Sequence, residues 1–123
     1  MAYTNFQQLP IWRESVDLAG ELFHFCRIGP IQKEFRLKDQ VTSASTSISS
    51  NIAEGFEYHN NRQFIRYLTY AKGSVSETFS LLCVIRKAGL MEEYDFGMFS
   101  EKLLSLGRKI GGFIQYLERN RPS

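Results

Sequence analysis

Apolar residues recur every three or four positions along almost the whole chain, the period that places them on one face of a helix. Four such segments can be drawn. The first spans about residues 10–27, with Pro10 suited to a first turn where a missing N–H costs nothing. Its stripe is Trp12, Val16, Ala19, Phe23 and Cys26, widened by Ile11, Leu18, Leu22 and Phe25, and Gly29-Pro30 ends it. The second, about 33–57, carries Leu37, Val41, Ala44, Ile48, Ile52 and Phe56, with Gly55 near its end. Either Asn60 or Asn61 can cap the third, about 62–87, whose stripe is Phe64, Leu68, Ala71, Val75, Phe79 and Leu82 and whose stop is Gly89. The fourth, about 95–119, runs Phe96, Phe99, Leu103, Leu106, Ile110, Phe113 and Leu117. Four amphipathic helices with short connections predict a single all-α domain, an up-down antiparallel four-helix bundle. The longest connection, residues 28–36, is placed to close one end of it.

Small residues complicate this pattern. Residues 42–50 read Thr-Ser-Ala-Ser-Thr-Ser-Ile-Ser-Ser, a poor choice for helix stability alone because serine and threonine compete for backbone hydrogen bonds. On the third segment Thr69, Gly73, Ser76 and Ser80 share a face opposite the apolar stripe. Gly73 costs ~1 kcal/mol relative to alanine in mid-helix. Two readings stand: a solvated polar face, or close packing of helices within or between subunits. A polar set lies beside these residues. Ser47, Asn51 and Glu54 on the second segment and Ser74 and Glu77 on the third can form one hydrogen-bonded network if the two helices face each other, fixing their register.

Composition narrows the function classes. With 43% hydrophobic and 23% charged residues in 123, the chain is an ordinary globular protein. No stretch is apolar enough to span a membrane, and the first ten residues lack the basic start and apolar run of a signal peptide. Cys26 and Cys83 fall inside apolar patterns and read as small buried hydrophobes, which suits a cytoplasmic setting. Net charge is +2, and residues 61–123 hold the positive excess. Arg62, Arg66 and Lys87 on the third segment and Arg108, Lys109 and Arg119 on the fourth are the candidates for holding phosphates, against the plainer reading of a solvated charged surface. No Glu-x-x-His occurs for a di-iron bundle, and no nucleophile–base pair, phosphate loop or dinucleotide fingerprint is present. The expectation is a protein with no catalytic, cofactor or metal residues that works through contacts.

The string Ser47-Ile48-Ser49-Ser50-Asn51-Ile52-Ala53-Glu54-Gly55, followed by Phe64, Leu68, Ala71 and Gly73-Ser74-Val75-Ser76-Glu77, resembles the four-helix-bundle protein family that includes proteins encoded in intervening sequences of large-subunit ribosomal RNA genes. Leu9, Trp12, Gln40 and Ala88-Gly89-Leu90 fit the same pattern, so the resemblance covers about residues 9–118. It implies a bundle that oligomerises into a ring, a homopentamer, with RNA or DNA or a protein as further partner. Accessory proteins of diversity-generating retroelements are relatives that bind reverse transcriptase and nucleic acid through basic surfaces. The resemblance carries that role as its alternative implication, while the modest +2 charge sits closer to the ribosomal-RNA branch.

Overall fold

The structure, a computed structural model, describes residues 3–120. It contains four α-helices: α1 (Pro10–Cys26), α2 (Phe35–Glu57), α3 (Asn61–Lys87) and α4 (Glu93–Arg119), with short 3-10 turns at Phe6–Gln8 and Pro30–Lys33. Local chemistry sets the ends. Pro10 occupies the first turn of α1. The Asn60 side chain caps α3 by accepting from the Gln63 backbone N–H at 3.1 Å, which decides between the two asparagines. At the other end of α3, Gly89 takes a φ of 79°. Leu90 N–H then reaches the Ile85 carbonyl and Gly89 N–H the Arg86 carbonyl, both at 3.0 Å, the paired bonds of a Schellman turn. Four boundaries differ from the pattern-based expectation by one or two residues, since α1 ends at Cys26, α2 starts at Phe35, α3 at Asn61 and α4 at Glu93. The Pro30–Lys33 turn closes one end by burying Ile31 completely.

Consecutive helices run antiparallel, and α4 returns beside α1. Glu14 pairs with Lys109 and Glu21 with Lys102, both at 2.7 Å, so a step of seven residues up α1 is a step of seven down α4. Phe64 meets Phe113 and Phe79 meets Phe96 across the α3–α4 seam in the same sense. The α2–α3 seam is the most extensive and α1–α4 the thinnest. The core centres on Leu22, Ile48, Ile52, Leu68, Leu82, Leu103 and Ile110, all shut off from solvent.

One stripe is corrected. On α1 the buried line is Ile11, Ser15, Leu18, Leu22 and Cys26, with Ala19 beside it. Val16 and Phe23 are 38% and 44% exposed and belong to the outer side. Two adjacent apolar lines were available on α1, and packing against α2 and α4 selects the one carrying Leu18 and Leu22. Cys83 is likewise exposed on α3, whereas Cys26 is buried, and both are free thiols. Burial raises the Cys26 pKa, with a smaller opposing pull from Lys38.

Candidate functional site

The hydroxyl-rich run of α2 satisfies itself. Thr42 donates to the Lys38 carbonyl at 2.6 Å, Ser45 and Thr46 to Thr42, Ser47 to Ser43 and Ser49 to Thr46. Each of these five hydroxyls reaches back three or four residues along its own helix, so Thr42, Ser45 and Ser49 enter the interior with their donors paired, while Ser43 and Ser50 are exposed. The proposed cross-helix network is not formed. Asn51 donates to the Ser47 carbonyl at 2.8 Å, and Ser74 offers its backbone carbonyl to Thr78 at 2.7 Å. Glu54 and Glu77 point to solvent. A glutamate on the outer half of a helix gains more from water than from a buried partner, and that preference keeps the two carboxylates apart. Among the described residues, no three His, Cys, Asp or Glu side chains gather closely enough to share a metal ion.

Close helix contact falls on a different glycine from the one the pattern singled out. A Cβ built on Gly55 would lie 2.6 Å from the Tyr67 Cβ and 3.1 Å from Phe64 Cδ1, so α2 and α3 touch there only because the side chain is missing. Gly73 faces open space, with nothing within 4 Å of a Cβ at that position. Thr69, Ser76 and Ser80 are exposed beside it. Close packing of this face within the subunit is thereby ruled out, while its meaning between subunits is untouched. Gly55 carried a signal that could have marked it: a helix-interior glycine five residues before the Asn60 cap, where two helices converge on a tight turn.

The basic candidates separate. Arg62 and Arg66 lie in the first turns of α3 and Lys87 in its last, so they share a face but stand ~37 Å apart end to end at the helical rise. They form no single cluster. Lys109 is engaged with Glu14, Arg108 sits exposed midway along α4, and Arg119 lies at the end of α4 that adjoins the start of α3. What the structure does assemble is an aromatic group beside Arg66 that was not foreseen as a unit. The rings of Tyr58 and Tyr67 stack 5.4 Å apart and their hydroxyls hydrogen-bond at 3.3 Å. Tyr70 meets Tyr67 edge-on at 5.6 Å, and Arg66 Nε donates to the Tyr70 hydroxyl at 2.9 Å while its guanidinium lies 5.9 Å from that ring. The hydrogen bond with Tyr58 is the main cause that pushes the Tyr67 pKa up to about 12, with partial burial and the nearby Glu54 carboxylate adding to it. Tyr58 and Tyr70 are about half exposed, so the group presents aromatic faces and a guanidinium to solvent at one end of the bundle.

The family model described as 23S rRNA-intervening sequence protein matches residues 7–112. A crystal structure of a protein of unknown function from the S23 ribosomal protein family of Bacteroides thetaiotaomicron VPI-5482 is similar at a TM-score of 0.77 and 20% identity. That match covers 85% of this chain and 97% of the other, a likeness of fold. A search of curated proteins finds no significant match. Among the described residues, no helix is long and apolar enough to cross a membrane.

Proposed function

The chain belongs to the 23S rRNA-intervening sequence protein family, and from that premise we propose that it is a non-catalytic protein that works by assembling with copies of itself into a ring of five. The number five follows the family resemblance of the sequence. The observation that carries the assembly is the outer face of α3. Thr69, Gly73, Ser76 and Ser80 form a smooth exposed strip, and the helix bears a glycine worth ~1 kcal/mol of lost stability that no contact inside the subunit requires. A small-residue strip of this kind lets a second backbone approach closely. Sedimentation equilibrium or light scattering is expected to return five subunit masses. A monomer at micromolar concentration overturns the reading.

The tyrosine–arginine group favours a second activity of the same assembly, the binding of single-stranded RNA. Exposed aromatic rings with an adjacent guanidinium offer stacking surfaces for bases, and Arg62 and Arg119 at the same end supply charge for phosphates. A fluorescently labelled oligouridine is expected to bind in anisotropy titrations, with affinity falling as salt rises. Tyr70→Ala is expected to weaken it roughly tenfold, the loss of one base stack. Binding that is absent at low salt, or indifferent to Tyr70→Ala and Arg66→Ala together, overturns this activity.

A further inference from the structure

The thinnest seam of the bundle, between α1 and α4, opens into a groove of about 1100 Å³. A second hollow of about 840 Å³ continues it along the same two helices, sharing Asp17, Glu21 and Met98. Together they exceed the roughly 300–1000 Å³ of a small-molecule site and run along α1 from Glu14 to its end at Cys26, about 18 Å at the helical rise, and past the turn that follows. The lining is largely apolar, with Val16, Phe25, Met98 and Phe99 along it and Tyr94, 79% exposed, on its lip. Gly20 on one wall and Gly97 on the other face open space inside the helices that carry them. Seven carboxylates and two cations also line the groove. Among the described residues, Asp17, Glu92, Glu93 and Asp95 have no ion-pair partner. A seam of five net negative charges in a chain of +2 leaves seven net positive charges elsewhere on the molecule.

The outer strip of α3 is the complement. Apart from Arg86, which lines the groove, that helix carries four cations and one carboxylate, Glu77, which lies roughly a quarter-turn to the side of Thr69. Lys87 lies in line with the small residues Thr69, Gly73, Ser76 and Ser80, Lys72 stands to one side with its side chain over Gly111 of α4, and the exposed Val84 continues the strip. From residue 69 to 87 it is about 27 Å long, enough to fill the groove along α1 and past its following turn. We propose that the α1–α4 groove receives the outer strip of α3 from a second copy of the chain, so that copies join head to tail. The small residues let the incoming helix sink between the groove walls, where Gly20 and Gly97 leave room, and Lys87 meets the unpaired carboxylates. Because α3 stands diagonally across the bundle from α1, groove and strip occupy different sides of one subunit. The contact is therefore heterologous and repeats until a ring closes.

This inference rests on the reading of the chain as a homo-oligomer, and the test separates the two. Gly73→Trp blocks the strip and Gly20→Trp blocks the groove, each in open space, with circular dichroism checking that the helices persist. Lys87→Glu and Asp17→Lys provide charge-based versions should a tryptophan disturb folding. Light scattering is expected to find the wild type oligomeric and each blocked variant monomeric. An equimolar mixture of a strip-blocked and a groove-blocked variant is expected to give one species of twice the subunit mass and nothing larger, since one intact groove meets one intact strip. Blocked variants that keep the wild-type mass overturn the proposal and leave the assembly standing, with the groove free for a different partner or a cationic ligand. Blocked variants that stay monomeric when mixed also overturn it. A monomeric wild type overturns the assembly itself.

Discussion

At the scale of single residues, two positions show chemistry that depends on close contact. Gly55 sits against Tyr67 and Phe64, and the nearest atom to an added methyl is a Cβ, held by its own backbone and unable to swing aside. Gly55→Ala is expected to destabilise the fold by about 1–2 kcal/mol, the overpacking cost less the gain in helix propensity. Gly112→Ala, in open space on α4, is the control and is expected to stabilise by up to ~1 kcal/mol. Urea unfolding of the two variants checks both signs. Tyr67 gives a second prediction. Its folded pKa of about 12 lies above the ordinary tyrosine value of 10.0, so the proton is held more tightly in the folded chain. The stability this adds is fully present below pH 10 and is lost as pH rises through about 12. Tyr58→Phe removes the hydroxyl partner, and a phenolate absorbance titration is expected to bring Tyr67 back toward its ordinary range.

At the scale of elements, the helices are specified by their ends and by how they dispose of polar groups. The cap of α3 is one side chain, so Asn60→Ala is expected to cost ~1 kcal/mol and Asn61→Ala almost nothing, read as a shift in urea midpoint at unchanged slope. On α2 the hydroxyls return to their own backbone, which turns a run of mediocre helix formers into small, internally satisfied side chains. By the helical angle, Thr42, Ser45 and Ser49 flank the apolar stripe on the side opposite Gly55, so α2 presents narrow surfaces to both neighbours. The Gly89 turn and the buried Ile31 end α3 and begin α2 at the same pole of the bundle.

At the scale of the molecule, charge is unevenly spread. The α1–α4 seam collects carboxylates while α3 collects cations. The two ion pairs that bridge the seam are both about half exposed, so they hold it weakly. Replacing Lys102 and Lys109 together with alanine is expected to change unfolding stability by less than ~1 kcal/mol per pair at physiological salt, checked by urea unfolding. A seam whose ion pairs add little to the subunit's own stability, and whose outer apolar lining includes the exposed Val16, is suited to being completed by another chain.

The four helices, their antiparallel order and most of the core are legible in the sequence, because a 3.6-residue apolar period and residues such as Asn60 and Gly89 are local signals. The sequence placed five buried stripe members on α2, Val41, Ala44, Ile48, Ile52 and Phe56, without help from tertiary contact. It also carried the family's pattern, which the family match over residues 7–112 bears out. Packing between helices selected which of two apolar lines on α1 faces inward, because both have the right period and only neighbours can choose between Val16 and Leu18. It decided that Gly55, not Gly73, permits close contact within the subunit, since propensity registers a glycine's cost but not the distance to the next helix. It dissolved the network expected of Asn51, Glu54, Ser74 and Glu77, because spacing along one helix says nothing of its rotation toward another. And it brought together Tyr58, Tyr67, Tyr70 and Arg66, and separately the two walls of the α1–α4 groove, whose parts lie far apart in the chain and meet only when the bundle closes.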